Sequence, residues 1–285
     1  MIDRSTTALV VDSTADLPDN LVEHPNVTIV PLTVFFGEEV YLDWVELKPE
    51  QFYEKLEAYY PRLPKTSQPA PGVFLQLYRR LREQYARIYS VHLSATFSGT
   101  YETARAVAAE VDGVKVVDSR LATGGFALLV DRMVERLDRG VSEEEFDAYI
   151  EYFHAHNTFL FVPTTLDYLY KGGRIGRASH LVGTLLNIKP VLMIDDGVAD
   201  VFKKARGVQQ ALAMMRDGLL ARTNPGSDVF ANLSHGLNLP VMEQLRELVV
   251  AIDDRRIHLR PHSIVGSVIG TYSGPKAVGL GFVQE

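Results

Sequence analysis

The chain has 285 residues, 46% of them hydrophobic and 23% charged, which is ordinary for a globular protein with a buried core and long enough for two domains. A formal net charge of −7 without basic runs argues against nucleic acid as the main partner. The lack of cysteine excludes disulfides, thiolate metal sites and a cysteine nucleophile, and the amino terminus lacks a signal-peptide pattern, so we expect a cytoplasmic protein.

The first half of the chain alternates strand-like and helix-like segments. "TTALVVD" predicts a strand, and "VTIVPLTVFF" predicts one or two more, interrupted by Pro31. Helical spacing follows in "KPEQFYEKLEAYY", in "VFLQLYRRLREQY", from about Ala122 to Leu137, and from Glu143 to His156. Short, continuous apolar strands between helices are typical of a parallel sheet covered by helices on both faces.

The pattern changes after His156. "NTFLFVPTT" predicts a strand, two helical pieces are predicted around "KGGRIGRA", and Asp196-Gly197 between strand-like runs predicts a hairpin. Hairpins mixed with helices indicate a second, mixed α/β domain. We therefore predict an α/β fold of two domains, with residues 1–155 built around the parallel sheet and residues 156–285 forming the mixed domain.

Four loops at strand ends concentrate hydroxyl and turn-forming residues, namely "DSTADLP", "KTSQPAPG", "SATFSGTYET" and "GTYSGPK". Ligands of open parallel sheets bind outside the carboxyl ends of the strands, so we expect three of these loops to gather at one edge. Serine, threonine and glycine are also ordinary turn and cap residues. The local pattern favours such a role, with Ser98 as a helix N-cap or with Gly99 as the cap and Glu102 completing a capping box.

Three cations, Lys171, Arg174 and Arg177, flank the glycines of "KGGRIG". Two roles are open for them. They could lie at a solvated helix end, where cations suit the carboxyl end of the helix dipole, or they could face a bound anion, and the sequence favours neither. Arg206, which closes the run "VFKKARG", has the same two alternatives.

The remaining polar residues indicate no catalytic or metal centre. The eight histidines lack the spacing of a metal-binding set. Asp12, Asp16 and Asp43 are expected to cap helices or make turns rather than to form paired carboxylates. No nucleophile elbow, phosphate-loop lysine or dinucleotide glycine pattern occurs. Composition and spacing alone therefore predict a two-domain α/β protein with a hydroxyl-lined cleft.

Taken together and in order, the loops resemble those of the DegV family. The resemblance rests on "VVDSTADLP", "KTSQPAPGVF", "SATFSGTYETA", "LYKGGRIGRA" with "NIKPVL", and "VIGTYSGPKAVGLGF", which span nearly the whole chain. It implies a protein that is not an enzyme, with no cofactor or metal. Such a protein binds a long-chain fatty acid with the tail buried, and its second domain closes over the lipid.

The resemblance also implies roles for individual residues. Thr66 and Ser98 correspond to ligands of the fatty-acid carboxylate. Residues expected near the head group or facing a kinase are Ser67, Gly99, Arg174, Arg206 and Tyr272. The implied partner is a fatty acid kinase that converts the acid to an acyl phosphate for phospholipid synthesis, and peripheral membrane contact is expected for lipid exchange.

One position departs from the family pattern. The family usually has histidine in a "GTHTGPG" motif, whereas this chain has Tyr272 in "GTYSGP". A tyrosine hydroxyl can donate a hydrogen bond to a carboxylate but cannot supply a positive charge near neutral pH. Two other functions stay open, a hydrolase or phosphotransferase that uses Ser98 in an anion site, and a lipid-responsive regulator that works without a kinase.

Overall fold

The computed structural model describes residues 1–181 and 188–285. The strands in this part are β1 (Thr7–Asp12), β2 (Val27–Val30), β3 (Thr33–Phe36), β4 (Glu39–Leu42), β5 (Lys65–Ser67), β6 (Arg87–His92), β7 (Val114–Asp118), β8 (Thr158–Val162), β9 (Lys189–Asp195), β10 (Val198–Ala205), β11 (Asp228–His235), β12 (Arg256–Leu259), β13 (Ser263–Ile264) and β14 (Val278–Gln284).

The α-helices in the same ranges are α1 (Asp19–Val22), α2 (Pro49–Tyr59), α3 (Pro71–Arg82), α4 (Thr100–Ala108), α5 (Thr123–Arg139), α6 (Glu143–His156), α7 (Asp167–Gly172), α8 (Val208–Arg222), α9 (Leu239–Val250) and α10 (Ser267–Ser273). Short 3-10 helices span Ser13–Ala15 and Gly176–Leu181. Among these described helices, none is long and apolar enough to cross a membrane.

The predicted parallel sheet is confirmed. It has four strands in the order β2-β1-β6-β7, all parallel, and all six residues of β1 are buried. Alternate side chains of β1 face opposite sides, so Val10 packs with Phe74 of α3 while Leu9 packs with Phe126 of α5. Helices therefore cover both faces, which explains why the strands are apolar throughout rather than alternating.

The mixed sheet of the second half is also confirmed. It has seven strands in the order β10-β9-β8-β14-β11-β12, with β13 paired to β11, and only the pairs that β11 forms with β12 and β13 are parallel. The predicted hairpin joins β9 to β10. Asp196 and Gly197 have φ of 46° and 79°, as the central residues of a type I′ turn require.

Helix α5 lies between the two large sheets, because its side chains pack both with β1 and with Phe159 of β8. Strands of the first sheet end at Asp118, and strands of the second begin at Thr158. The helix predicted from Glu143 to His156 has those bounds, whereas α5 runs two residues beyond the predicted Leu137. The domain boundary near residue 155 stays a prediction.

A third, small antiparallel sheet in the order β4-β3-β5 was not predicted. Strand β5 has three residues between Pro64 and Pro69, and this proline-rich pattern indicates a loop. The small sheet packs through Val34 and Phe36 against α2 and against Val268 of α10. It therefore links the first half of the chain to a helix of the second half, and it places Thr66 at the contact.

Candidate functional site

A cavity of about 450 Å³ lies between the two halves of the molecule. Its wall is mostly apolar and includes Leu93, Phe97, Phe159, Phe161, Ile194 and Val268. These residues come from the end of β6 and the loop after it, from β8 and β9, and from α10. Such a volume lies within the range of about 300–1,000 Å³ found for small-molecule sites.

Hydroxyl groups from both halves meet at one end of this cavity, which we call the mouth. The Thr66 Oγ1 and Tyr272 hydroxyl oxygens are 2.6 Å apart, and the Ser98 Oγ and Thr100 Oγ1 oxygens are 2.9 Å apart. Thr66, Ser98 and Tyr272 are half-buried and line the cavity. Each pair can exchange its mutual hydrogen bond for bonds to a ligand, because a hydroxyl both donates and accepts.

The structure brings six of the seven predicted site residues to this cavity, namely Thr66, Ser67, Ser98, Gly99, Arg174 and Tyr272. Arg206 is not among them. It lines a separate cavity of about 560 Å³ with Thr164, Thr165 and Lys189, and its backbone N–H donates to the Gln210 side chain.

The N-cap of α4 is Gly99, which has no side-chain cap hydrogen bond. Ser98 lies one residue earlier and accepts a long bond of 3.3 Å from the Thr100 N–H. The capping box is not formed, because Glu102 pairs instead with Arg105 at 2.6 Å. The prediction of Ser98 as the N-cap was therefore wrong, and the alternative, Gly99, is the cap. The Ser98 hydroxyl lines the cavity, and the amino end of α4 keeps N–H groups without a side-chain cap.

Two other hydroxyls of "HLSATFSGTYET", those of Ser94 and Thr96, hold the hairpin and do not line the cavity. Ser94 Oγ donates to the Gly197 carbonyl oxygen at 2.8 Å, and Thr96 Oγ1 donates to the same oxygen. A Cβ on Gly197 would lie 2.5 Å from Ser94 Oγ, so only glycine fits this close approach. The hydroxyl-rich turn thus has two roles, docking the β9–β10 hairpin and lining the mouth.

Arg174 crosses the mouth next to Tyr272. Its guanidinium carbon is 4.8 Å from the centre of the Tyr272 ring, and its Nε and Nη1 donate to the carbonyls of Phe97 and Gly172 at 3.3 and 2.9 Å. A Cβ on Gly172 would lie 2.4 Å from the tyrosine ring, so this glycine allows the ring to pack closely. Arg174 is exposed and leaves part of its guanidinium available to an anion.

The two other cations of this segment are engaged elsewhere. Arg177 Nη1 binds Asp195 at 2.9 Å and Asp200 at 3.1 Å, and Lys171 lies 4.7 Å from the centre of the Tyr60 ring. Arg174 is therefore the one of the three that lines the cavity.

A buried chain of polar groups has the order of a catalytic triad but not its access. Asp12 Oδ2 lies 3.1 Å from His92 Nδ1, His92 Nε2 lies 2.8 Å from Ser90 Oγ, and that oxygen lies 2.7 Å from the Tyr78 hydroxyl. All four side chains are fully buried and none lines the cavity. No substrate can reach Ser90, so the chain serves the fold.

Asp12 and Asp16 have the expected cap roles, because Asp12 caps the 3-10 helix at Thr14 and Asp16 ends that helix as its left-handed C-cap. The carboxyls of Asp16 and Asp43 are in addition buried near each other, which was not expected. Asp16 Oδ1 accepts from Trp44 Nε1 and from the Gly266 N–H, and Asp43 Oδ1 accepts from the Ser267 N–H at 3.0 Å. Burial raises the pKa of Asp43 to about 6 and that of Asp16 well above its usual value, with the Asp43 charge adding to the latter.

Spacing in the sequence gives no sign of this pair, because Asp16 and Asp43 are 27 positions apart and their backbone donors, Gly266 and Ser267, lie in the far half of the chain. The described residues include no cluster that could hold a metal ion.

Comparison with known proteins agrees with this architecture. A family model described as uncharacterised proteins of the DegV family matches residues 6–285. A DegV domain-containing protein of Halalkalibacterium halodurans is 34% identical over 98% of this chain and 98% of its own.

Two solved structures are similar over the whole chain. A Thermus thermophilus DegV family protein, described by its fatty acid binding, is 32% identical with a TM-score of 0.93, covering 98% of this chain and 100% of its own. Bacillus subtilis DegV, described as a fatty acid binding protein, is 29% identical with a TM-score of 0.87, covering 99% and 100%. From the family model, the relatives and the shared fold, we conclude that this chain belongs to the DegV family.

Proposed function

We propose that the protein binds a long-chain fatty acid in the cavity between its two halves. One observation carries the proposal, namely a largely apolar cavity with the hydroxyls of Thr66, Ser98 and Tyr272 and the guanidinium of Arg174 at its mouth. The matching ligand has a long apolar body and one anionic end. The fatty acids named for the two solved relatives have that chemistry.

The acyl tail supplies most of the binding energy in this proposal. Burying about ten methylene groups gains roughly 8 kcal/mol before the cost of ordering the chain. Phe97, Phe159 and Phe161 offer flat, apolar surfaces for that burial, and they contain no polar group that a methylene chain would leave unpaired.

The carboxylate is held by neutral donors. Ser98, Thr66 and Tyr272 each turn a hydroxyl proton toward it and give up the bonds they now share with each other or with Thr100. The uncapped N–H groups of α4, a helix of nine residues, add the positive end of a helix dipole. Hydrogen bonds to a charged group contribute about 1.5–3 kcal/mol each, so the head sets the orientation of the ligand.

The same geometry supports presentation of the acid to a fatty acid kinase. The mouth residues are half-buried or exposed, so a bound carboxylate stays within reach of a second protein. In that step a carboxylate oxygen forms the bond to the γ-phosphorus of a nucleoside triphosphate, and the nucleoside diphosphate leaves. Arg174, exposed beside the mouth, is the group of this chain best placed to meet the phosphate charge. The distant Arg206 is assigned to a second surface, through which it contacts the kinase.

A hydrolase or phosphotransferase that uses Ser98 as its nucleophile is the weaker proposal. Its Oγ pairs with Thr100 Oγ1 and the Thr100 N–H, and in the described part of the chain no histidine or lysine hydrogen-bonds to it. His92, the nearest histidine along the chain, is committed to Asp12 and Ser90. A serine without a base is a poor nucleophile.

Displacement of a fluorescent fatty acid from delipidated protein tests the proposal. Stearate is expected to displace the probe, and stearyl alcohol, which lacks the charge, is expected to do so more weakly. Incubating the stearate-loaded protein with a fatty acid kinase and ATP should then yield stearoyl phosphate. Probe binding without acyl phosphate would leave the carrier function and remove the kinase step.

A further inference from the structure

Two of the hydroxyls proposed to hold the carboxylate, those of Thr66 and Ser98, belong to separate segments of the chain. Thr66 lies in β5 of the small sheet, and Ser98 lies in the loop before α4. Among the hydrogen bonds of the described residues, one joins the β5 segment to α4, and Gln68 makes it directly after β5. Gln68 Nε2 donates to Thr103 Oγ1 of α4 at 2.5 Å. Gln68 therefore ties the segment that carries Thr66 to the helix that follows Ser98.

The Gln68 amide lies directly on the N-cap of α4. A Cβ built on Gly99 would lie 2.3 Å from Gln68 Oε1 and 3.2 Å from Gln68 Cδ. The φ of Gly99 is −75°, so the backbone does not require glycine at this position. The space that the amide occupies does require it, because any side chain on residue 99 would push the amide away. Gln68 and Gly99 both line the cavity, and Gly99 follows Ser98, so the contact lies beside the mouth.

The position of Thr66 is held weakly by its own strand. Strand β5 has three residues and lies at an edge of the small sheet, where it pairs with β3. The Thr66 hydroxyl bonds to Tyr272, but the ligand replaces that bond in the function proposed above. Helix α4 is held more firmly, because its Ala104 packs in the same apolar cluster as Phe74 of α3. The Gln68 bond therefore connects a weakly held segment to a firmly held helix.

We propose that Gln68 is a positioning residue that sets the separation between the Thr66 and Ser98 hydroxyls, and that residue 99 is glycine because the Gln68 amide lies on it. This role rests on the fatty-acid binding proposed above, and it assigns the preference for a carboxylate head to one contact. A carboxylate has two oxygens in a fixed geometry, so it binds best to donors at a matching separation. Such sites need their donors within about 0.5 Å of the productive position. An alcohol has one oxygen and can bond wherever one partner is free.

The Gln68 contact is suited to set geometry rather than to stabilise the fold. The Gln68 side chain is exposed, and a hydrogen bond at the surface contributes little to stability because water can replace it. Loss of this bond should therefore leave the protein folded and let the segment that carries Thr66 shift relative to Ser98. The expected consequence is a weaker preference for the carboxylate head, with the burial of the acyl tail unchanged.

The preference for the carboxylate is measured as the dissociation constant of stearyl alcohol divided by that of stearate, each obtained by displacing a fluorescent fatty acid from delipidated protein. Gln68→Ala should lower this ratio about tenfold, as the loss of one hydrogen bond to a charged group allows, and leave the urea midpoint close to that of the wild type. Gly99→Ala should have the same effect, because its methyl group displaces the amide. The double variant should be no worse than either single variant, because both changes remove one contact. Additive losses would overturn the inference.

Thr103→Val separates positioning from direct contact with the ligand. Thr103 does not line the cavity, and valine keeps the branched shape of the side chain while removing the hydroxyl that accepts from Gln68. The ratio should therefore fall in this variant as well. A ratio that falls in Gln68→Ala but not in Thr103→Val would overturn the inference and make Gln68 a direct ligand of the carboxylate.

Gln209→Ala is the matched control. Gln209 Nε2 donates to Gln244 Oε1 at 2.7 Å in an exposed bond between α8 and α9, and neither residue lines the cavity, so the ratio should stay at the wild-type value. If wild-type protein fails to bind stearate, the proposed function fails. If it binds stearate and Gln68→Ala keeps the wild-type ratio, this inference alone fails.

Discussion

The mouth of the cavity and the buried chain of Asp12, His92, Ser90 and Tyr78 use the same kinds of side chain for opposite purposes. In the buried chain every polar group bonds within the protein, and no solvent or ligand reaches it. At the mouth, hydroxyls bond mainly to one another and stay half-exposed. Access and exchangeable partners, rather than residue type, separate a structural network from a binding site.

The pair Asp16 and Asp43 shares properties with both regions. It is as buried as the Asp12 chain, but each carboxyl has one oxygen without a partner in the described residues. Both carboxyls bind backbone N–H groups at the start of α10, the helix that carries Tyr272 to the mouth. The variants below test this contrast between buried structural networks and the mouth, from the largest expected effect to the smallest.

Removing the carboxylate of the buried chain should have the largest effect on stability. Asp12 accepts hydrogen bonds from Thr14 and Leu93 in addition to its bond with His92. Asp12→Ala leaves these donors buried without a partner, and we expect a loss of at least about 3 kcal/mol in urea unfolding. Asp19→Ala, at an exposed position in the first turn of α1, is the control and should cost less than about 1 kcal/mol. Similar losses in both variants would contradict the account.

Asp43→Asn should change how stability depends on pH. Because burial raises the pKa of Asp43 to about 6, the folded state prefers the protonated carboxyl. Its contribution to stability is complete below about pH 4 and is lost as pH rises through about 6. The amide keeps an acceptor for Ser267 and carries no charge. As pH rises from 4 to 8, the unfolding free energy of the wild type should therefore fall by on the order of 3 kcal/mol relative to that of the variant. Parallel unfolding curves at the two pH values would show that Asp43 stays ionised.

At the mouth, stability and binding should separate. Ser98→Ala removes one donor to the carboxylate, and we expect fatty-acid affinity to fall about tenfold or more while the unfolding free energy changes by less than about 1 kcal/mol. Gly99 is the N-cap, and the one backbone bond that Ser98 Oγ accepts from α4, from the Thr100 N–H, is long at 3.3 Å, so its loss should cost little. Ser94→Ala is the control, because its hydroxyl holds the hairpin carbonyl of Gly197, and it should leave the carboxylate contact intact. Unfolding without loss of affinity would restore the capping role for Ser98.

Tyr272→Phe should have the smallest effect. It breaks the 2.6 Å bond to Thr66 but keeps the ring beneath Arg174, so we expect affinity to fall by about three- to tenfold. Tyr272→His restores the residue usual in the family and should keep affinity close to wild type while raising acyl-phosphate formation by a kinase. Equal turnover by the histidine and tyrosine proteins would make the departure at this position incidental.

Strands and helices with strong periodicity could be predicted from the sequence. The bounds of α6 and the hairpin turn at Asp196-Gly197 followed directly from local pattern. The small sheet could not, because three residues between two prolines take their strand geometry from pairing with Val34 of β3. Local signal is too weak where tertiary pairing decides the conformation.

Only part of the site could be predicted from the sequence, again because contacts in the folded molecule decide the rest. Family motifs indicated the residues that meet at the mouth, and the structure collects six of the seven around one cavity. The buried carboxyls of Asp16 and Asp43 take hydrogen bonds from Gly266 and Ser267, near the opposite end of the chain. Spacing cannot reveal them, because burial and the absence of a partner are properties of the folded molecule alone.

Native mass spectrometry of the purified protein, followed by denaturing extraction and analysis of the acyl chains, tests the central claim most directly. We predict a mass increase of one fatty acid per chain, and release of that acid on unfolding. Protein that carries no acyl chain, and that takes up none when offered stearate after delipidation, would contradict the account.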